Sequence, residues 1–461
     1  MKYRIEKDFL GSVKVPADVY FGAETERARQ NFQISGTRVP LTFIKHYAII
    51  KKSAAFANMK LGKLDEKRGK AIARAADEVI KGKFDDQFVT DIFQAGAGTS
   101  VNMNVNEVIA NRAIEILGGR KGDYKIINPN DHVNMSQSTN DTFPATIRLS
   151  VHCSVKWKLL PALAGLQKAL ERKSKEFRSV VKTGRTHLQD AVPITLGQEF
   201  SSYAASVSDQ MENISKALNS LLYLSLGGTA VGTGVEASSK YSKLVIEEVR
   251  KNSKEDFRLA KNFFDVQQNR EEEWTSSALR DLAIALNKIA NDFRLMASGP
   301  TSGFGDIILP AVQPGSSIMP GKINPSMPEM LNMVCFQVIG NDTAISLSAE
   351  GGQLELNVYM PLMAFDLLYS IDILTAAVDA FTKRCVVGIK ANTERLMDNV
   401  ERDFSLATAL APYIGYAKAA KIARLAYKKK KTIMQVALEM KIMPKSDLMK
   451  ILNPKRMTKK K

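Results

Sequence analysis

Three short segments of the sequence concentrate hydroxyl and amide side chains where a helix is predicted to begin. They are Gly96–Ser100, Asn134–Asp141 and Gln313–Pro325, and the last also carries Lys322. The backbone N–H groups of a helix's first turn lack intrahelical partners, and the positive end of the helix dipole adds to their field. Hydroxyl, amide and ammonium groups at such a terminus can bind an anion such as a carboxylate. Taken alone, each cluster is better explained as a set of ordinary helix caps.

Long helices are the elements predicted to position these clusters. Between Thr99 and Leu117, apolar side chains recur every three or four residues and two glycines follow, so Thr99 is predicted to cap an amphipathic helix. Pro144 and Pro325 are predicted near the first positions of two further helices, the second capped by Asn324, because proline is favoured there. Similar patterns predict helices at residues 145–177 (kinked at Pro161), 195–224, 275–297, 325–348 and 357–382.

Strand-like alternation is sparse and short, as at residues 124–127. Several predicted helices exceed the usual length in globular proteins, and 461 residues are enough to bury a large core. The sequence therefore predicts a mainly α protein built on a bundle of long helices.

Two segments resemble nucleotide-binding motifs without having their spacing. Gly315–Lys322 is one residue too long for a P-loop, and Ile323 stands where a P-loop has Ser or Thr. Gly227–Gly234 lacks both the GxGxxG spacing and a preceding strand, which favours a tight connection. Ser316 is not part of a GxSxG nucleophile motif. A nucleotide site is therefore not expected.

Cysteine and histidine are too scarce for a disulfide framework or a zinc module. Cys153, Cys335 and Cys385 are far apart and odd in number, which fits a reducing compartment and predicts a cytoplasmic protein. Near the amino terminus, Glu6 and Asp8 stand where a signal peptide needs an apolar core. Because no window approaches about 18 uncharged apolar residues, a membrane span is not expected either.

The formal net charge of +17 is concentrated at the carboxyl terminus. Residues 417–461 hold 15 Lys or Arg against Glu439 and Asp447, so the rest of the chain is nearly neutral. Lys428–Lys431 and Lys459–Lys461 are predicted to be a solvated helix face and a frayed end, because no aromatic residues interleave the run. No nucleic acid partner is expected.

Taken together, the clusters resemble the motifs of a known family. GSSIMPGKINP, TSVNMNVNEV, HVNMSQSTNDTFP and GRTHLQDAVPITLGQEF are similar, in the expected order, to segments of the fumarase/aspartase superfamily. The resemblance runs from RIEKDFLG to about Gly415, which is nearly the whole chain. It implies a carbon–nitrogen or carbon–oxygen elimination that yields fumarate from a small dicarboxylate.

The resemblance also implies an architecture. The expected division is an N-terminal domain at 1–138, a central helical-bundle domain at 139–392 and a small C-terminal domain with a basic tail at 393–461. The family's fold implies a homotetramer with a tetrameric helical core, in which each active site is shared between subunits. No cofactor and no metal are expected.

Carried over residue by residue, the resemblance assigns roles to the three clusters and to the segment around His187. Ser316 resembles the base that removes the C3 proton, on a loop similar to the family's mobile lid. His187 resembles a histidine that pairs with a glutamate, here Glu329; from the residues alone it could equally be a structural histidine. The residues expected to bind the carboxylates and the leaving group are Thr99, Ser138, Thr139, Asn140, Thr186, Ser317, Lys322 and Asn324.

The choice between the two branches of the family depends on few positions. Thr139, Gln353 and the segment GAGTSVNMN resemble aspartases, whereas Gly228 and Gly305 are closer to fumarases. Because the aspartase-like positions lie in the site clusters, the expected reaction is elimination of ammonia from L-aspartate. The alternative is the class II fumarase reaction on L-malate. A more remote alternative is an inactive structural relative that binds a polyanion through its basic tail.

Overall fold

The computed structural model describes residues 2–262 and 268–458, and 63% of the structure is helical. The prediction of a mainly α protein is therefore confirmed. The helices are α1 Ala23–Asn31, α2 Leu41–Lys60, α3 Glu66–Ile80, α4 Thr99–Ile116, α5 Thr139–Ser154, α6 Leu160–Glu176, α7 Leu196–Ser220, α8 Ser239–Ser253, α9 Arg270–Met296, α10 Ser326–Glu350, α11 Met360–Arg384, α12 Thr393–Arg402, α13 Ala411–Ile414, α14 Tyr416–Lys429, α15 Ile433–Glu439, α16 Lys445–Ile451 and α17 Pro454–Met457.

The strands of the described residues form small two-stranded sheets. The pairs are β1 Tyr3–Asp8 with β2 Gly11–Pro16, β3 Val181–Thr186 with β4 Gln189–Thr195, β5 Tyr223–Leu224 with β6 Arg258–Leu259, and β7 Ile307–Ile308 with β8 Lys390–Ala391. The strand predicted at 124–127 is wrong, because this segment forms turns. The N–H of Tyr124 donates to the carbonyl of Gly122, and that of Ile126 to Asp123, so the backbone bonds locally.

The helix predicted across residues 145–177 is interrupted where the kink was expected. A π-helical turn at residues 155–159 separates α5 from α6, and the N–H of Leu160 donates to the carbonyl of Val155. Pro161 lacks an N–H and cannot continue the regular ladder of bonds, which explains the break at this point. The placement of Pro144 at a helix start is wrong, since α5 begins at Thr139 and Pro144 lies within it.

The described chain divides into two compact units, and the first comprises residues 1–160, 212–283 and 336–375. Its core includes Ile50, Leu149 and Tyr241, which come from α2, α5 and α8 and are inaccessible to solvent. The long helices α9 and α10 are joined where Ser276 donates to the Asp342 carboxylate at 2.6 Å. The predicted three-domain division of the chain stays a prediction.

The second unit comprises residues 161–211, 284–335 and 376–461. The rings of Phe200, Phe293 and Phe381, from α7, α9 and α11, stack in its core with centroid distances of 5.3 and 5.7 Å. A separate apolar cluster holds the carboxyl-terminal helices together and includes Leu410, Ile422 and Val436. This cluster is small, but each of these three side chains is fully buried.

One described segment, Met360–Gly388, is long and apolar enough to cross a membrane by length and composition, with a mean hydropathy of 1.5. The segment contains Asp366, Asp372 and Asp379, so it is not the uncharged apolar window that the sequence-based expectation excluded. Because 61% of its most apolar window is buried inside the chain, the segment has the character of a core helix.

The basic carboxyl-terminal segment is solvated in its described part, as predicted. Lys428–Lys431 are exposed at the end of α14, and Lys429 and Lys431 both pair with the Glu439 carboxylate. The frayed end predicted for Lys459–Lys461 lies outside the described residues.

Candidate functional site

The first cluster is built on a glycine that the local backbone requires. Gly98 has φ +86° and precedes α4, and a Cβ added there would lie 2.0 Å from the ring of Phe143. Thr99 is consequently the first residue of α4 and not its cap, which corrects the prediction. The capping acceptor is Gln94, whose Oε1 accepts a 3.0 Å hydrogen bond from the N–H of Val101. The Thr99 side chain is thereby left exposed at the start of the helix.

The second cluster starts α5 with a reciprocal cap. The Ser138 Oγ accepts from the N–H of Asn140 at 3.3 Å, and the Asp141 carboxylate accepts from the N–H of Ser138 at 3.0 Å. This cap supplies two of the partners that a first turn lacks, so the helix begins at Thr139. The other Asp141 oxygen accepts from the N–H groups of Gly227 and Thr229 at 2.9 and 3.0 Å.

The glycine-rich segment 227–234 therefore has a structural role. Gly227 has φ +93°, and a Cβ at this position would lie 2.0 Å from the Ser242 hydroxyl. The prediction of a tight connection thus fits the structure. Asp141 is fully buried, and this burial raises its pKa to about 6, while the backbone N–H groups of Ser138, Thr229 and Gly227 act in the opposite direction. Asn140 is also tied to this segment, since its amide donates to the Ala230 carbonyl at 2.7 Å.

The structure brings the first two clusters together through Asn102, which lies one turn after Thr99. The Asn102 Nδ2 donates to the Thr139 hydroxyl at 3.0 Å, and its Oδ1 accepts from the Lys51 ammonium at 2.7 Å. The ammonium also donates to the Asn134 Oδ1 at 2.9 Å. Thr99 and Thr139 thus begin two helices that share one polar network.

Sequence reasoning did not single out Lys51 or Asn102. Lys51 occupies the buried face of α2, four residues after Tyr47 and three before Ala54, and all three side chains are fully buried. A lysine in phase with such an apolar stripe is rare in folded proteins unless it is paired. That helical phase was the signal that could have identified it.

Thr186 and His187 lie at the exposed tip of the β3–β4 hairpin. Its two turn residues, His187 and Leu188, have φ of +56° and +60°. A type I′ turn normally uses Asn or Gly at such positions, so this turn is strained for a histidine and a leucine. Strained backbone of this kind clusters at functional sites, and here it presents His187 to solvent.

The predicted pairing of His187 with Glu329 does not form within one chain. In the described residues these two side chains share no hydrogen bond or ion pair. The pairing would have to join different copies of the chain, and it stays a prediction.

The third cluster is a loop with a closed neck. The N–H of Gly315 donates to the carbonyl of Lys322 at 2.8 Å, and the Asn324 side-chain amide donates to the Gly315 carbonyl at 2.6 Å. Asn324 was predicted to cap the following helix. It closes the loop instead, since α10 begins later, at Ser326. A Cβ on Gly315 would lie 2.4 Å from the Lys322 carbonyl oxygen, so the neck depends on glycine.

Ser316 stands directly after this neck, and its hydroxyl is held by backbone groups. The Ser316 Oγ accepts from the N–H of Ile318 at 3.2 Å and from that of Met319 at 3.0 Å. N–H donors to an oxygen stabilise its deprotonated form, so this geometry favours loss of the hydroxyl proton. Ser317 and Lys322 extend from the same loop and are exposed, and Ile318 at its tip is 84% exposed.

The predicted site residues therefore fall into two groups. Thr99, Ser138, Thr139 and Asn140 lie at two adjacent helix starts of the first unit. Thr186, His187, Ser316, Ser317, Lys322, Asn324 and Glu329 lie in the second unit, on the hairpin tip, on the loop and in the first turn of α10. Their roles in binding and catalysis stay predictions.

Comparison with known proteins covers nearly the whole chain. A family model described as Lyase matches residues 11–340, and one described as Fumarase C C-terminus matches residues 406–459. An aspartate ammonia-lyase of Bacillus sp. is 50% identical over 456 residues, covering 99% of this chain and 97% of that protein. A class II fumarate hydratase of Bradyrhizobium diazoefficiens is 46% identical over 457 residues, covering 99% and 97%.

Solved structures agree with these sequence matches. The cobalt-bound fumarate lyase:delta crystallin of Brucella melitensis is 46% identical with a TM-score of 0.96, and the match covers 100% of both chains. The class II fumarase of Schistosoma mansoni is 38% identical with a TM-score of 0.94, covering 99% of both. On the combined evidence of these matches, the chain belongs to the fumarase/aspartase superfamily of lyases.

Proposed function

We propose that this lyase catalyses the reversible elimination of ammonia from L-aspartate to give fumarate. The observation that carries the chemistry is the Ser316 hydroxyl, which stands in a closed loop and accepts two backbone N–H bonds. The proposed substrate rests on the aspartase-like residues of the helix-start clusters.

Ser316 acts as the base in this proposal. An ordinary serine hydroxyl is too weak an acid to be deprotonated near neutral pH, so its anionic form has to be stabilised. The N–H groups of Ile318 and Met319 already point at the oxygen that would carry the charge. The Lys322 ammonium on the same loop adds positive charge, and exclusion of water strengthens both effects.

The helix starts of α4 and α5 stabilise the intermediate. Removing the C3 proton of a dicarboxylate leaves a second negative charge on the adjacent carboxylate, so donors aimed at its oxygens lower the barrier. Thr99, Ser138 and Asn140 surround helix termini that already favour anions. Neither a metal nor a cofactor is needed for this step in the proposal.

The choice of L-aspartate follows from the residues around the leaving group. Ammonium leaves as neutral ammonia once C3 is deprotonated, whereas hydroxide needs a proton delivered to it. Thr139, which carries one methyl group more than the serine usual in fumarases, and Gln353 resemble aspartases. One methyl group is worth only about 1 to 3 kcal/mol of discrimination, so several residues must contribute.

The alternative function is hydration of fumarate to L-malate. Gly228 and Gly305 are closer to fumarase usage, and relatives named as class II fumarases reach 49% identity, against 50% for one named aspartate ammonia-lyase. Names at these identities support a lyase that forms fumarate and favour neither branch.

The assembly and the location belong to the same proposal. We infer a homotetramer with sites shared between subunits, because Thr99, His187 and Ser316 lie on segments that the family brings together from different chains. We infer a cytoplasmic location because the three scattered cysteines fit a reducing compartment. Size-exclusion chromatography with light scattering tests the assembly, and a monomer would contradict it.

Ultraviolet absorbance of fumarate tests the proposed substrate. The purified protein is supplied with L-aspartate and L-malate in separate cuvettes. Absorbance is expected to rise with L-aspartate and to change little with L-malate. The reverse pattern would establish the alternative, and no change with either would contradict both reactions.

A further inference from the structure

Lys51 is a buried lysine without a carboxylate partner among the described residues. Its side chain is fully buried in α2, and its Nζ forms no ion pair there. Its contacts are the carbonyl oxygens of Asn102 and Asn134 and the ring of Tyr47, whose centroid lies 5.1 Å from Nζ. Burial lowers the pKa of Lys51 to about 7, and the charge of Asp141 opposes this shift. Burying an ammonium in this way is costly for stability, so the position calls for an explanation.

The hydrogen bonds of this lysine can run in only one direction. An ammonium group has three donors and no acceptor, and the neutral amine that a pKa of about 7 also allows keeps two N–H donors, one for each carbonyl it contacts. With these donors in use, the Asn102 carbonyl faces Lys51 and the Asn102 NH₂ faces Thr139. The orientation of an asparagine amide is otherwise ambiguous, because its oxygen and nitrogen have nearly the same shape. Lys51, 51 positions earlier in the chain, removes this ambiguity together with the Asn134 Oδ1, which accepts a longer bond of 3.3 Å from the Asn102 Nδ2.

The orientation of the Asn102 amide also determines the role of the Thr139 hydroxyl. Its oxygen accepts the 3.0 Å bond from the Asn102 amide. A threonine hydroxyl carries a single proton, and since its oxygen is accepting here, that proton remains available to a further acceptor. Thr139 is only 8% exposed and its hydroxyl donates to no acceptor among the described residues, which leaves its proton to a ligand at the start of α5.

From this geometry we infer that Lys51 is a positioning residue that, through Asn102, fixes the Thr139 hydroxyl as a hydrogen-bond donor to a substrate carboxylate. The inference rests on the proposed function insofar as it takes the acceptor to be a dicarboxylate. Without the lysine, only the 3.3 Å bond from the Asn102 Nδ2 to the Asn134 Oδ1 holds the amide, which can then turn over and accept the Thr139 proton itself. Thr139 would then present a lone pair to an anion, and binding would weaken.

The test measures dicarboxylate binding separately from turnover. Succinate, a dicarboxylate that cannot undergo elimination, is titrated calorimetrically into the wild type and into Lys51→Met, Thr139→Val and the double variant. Each single substitution is expected to weaken succinate binding at least tenfold. The double variant is expected to bind succinate no more weakly than the single variant with the larger loss, because both substitutions remove the same donor.

Matched controls separate positioning from structural damage. Lys52→Met changes the neighbouring lysine, which pairs with Asp77 at 2.8 Å outside this network, and it should bind succinate like the wild type. Thr139→Ser keeps the hydroxyl, and its affinity for succinate should stay within about threefold of that of the wild type. The melting temperature of each variant shows whether it is folded. If Lys51→Met does not fold, Lys51→Gln takes its place, since glutamine keeps a polar group but can also accept, and it should weaken binding too.

Two results would overturn the inference: succinate binding unchanged in a folded Lys51 variant, or losses that multiply in the double variant. Failure of the proposed function would look different. In that case the wild type would form no fumarate from L-aspartate, whereas the succinate series would still report on the donor at Thr139.

Discussion

The side-chain amide of Asn324 donates a 2.6 Å hydrogen bond to the carbonyl oxygen of Gly315, nine residues earlier in the chain. This bond and the 2.8 Å bond from the Gly315 N–H to the Lys322 carbonyl close the neck of the loop that presents Ser316. The position of the serine thus depends on a side chain at the far end of its own loop.

Removing this bond should loosen the loop. In Asn324→Ala, hydrogen exchange of the amides of residues 316–321 is expected to speed up, because the neck loses its side-chain bond. The kcat for fumarate formation is expected to fall at least tenfold, since the serine is no longer held. Gln313→Ala, an exposed change just outside the neck, is the control and should alter neither measurement. A rise in KM alone, with unchanged exchange, would show that Asn324 serves only to bind substrate.

The two serines of the loop should differ in their effects. Ser316→Ala is expected to abolish most turnover while succinate still binds, because the donors at α4 and α5 remain. Ser317→Ala is expected mainly to raise KM, since this exposed hydroxyl accepts no backbone hydrogen bond in the described loop. Steady-state kinetics and calorimetry separate the two outcomes. Equal loss of binding in both variants would instead indicate that the loop fails to fold.

Subunit mixing tests whether sites are shared between copies. Thr99→Ala and Ser316→Ala are each expected to be inactive. Mixed under conditions of subunit exchange, they should regain activity, because some sites would then combine an intact Thr99 with an intact Ser316. Native mass spectrometry confirms that hybrids form. Hybrids that stay as inactive as their parents would exclude shared sites.

Stability should depend on pH through Lys51. Its pKa is about 7 in the folded protein and 10.5 for an ordinary lysine, so between these values the unfolded chain binds the extra proton. The free energy of unfolding therefore gains a contribution that rises with pH, at most about 1.4 kcal/mol per pH unit. Urea unfolding at pH 7, 8 and 9 should show this rise in the wild type and in Lys52→Met, but not in Lys51→Met. The same dependence of the unfolding free energy on pH in all three proteins would contradict this contribution from Lys51.

The helices could be predicted because their apolar residues repeat at helical spacing. The apolar residues after Thr99 repeat at helical spacing, and α4 begins at that residue. The β3–β4 hairpin was not predicted, because strands that expose polar residues such as Thr186 and Asp190 lack a clear apolar alternation, and its turn uses His187 where glycine or asparagine is usual.

Site residues could be named from motifs, but their contacts could not. The sequence places Asn324 beside a helix start, which suggests a cap, whereas the bond to Gly315 depends on how the loop closes in space. The polar network behind Thr139 joins Lys51 and Asn102 across 51 residues of sequence, and no local pattern specifies that contact. Both of these contacts depend on how the chain packs in three dimensions.

The most direct test of the central claim offers both reactions to the enzyme in one sample. Fumarate and ammonium are supplied together in water, and the initial rates of L-aspartate and L-malate formation are followed by proton NMR. An aspartate ammonia-lyase should form L-aspartate with little or no L-malate, and the Ser316→Ala variant should form neither. L-malate forming faster than L-aspartate would contradict the proposal and identify the protein's reaction as that of a fumarate hydratase.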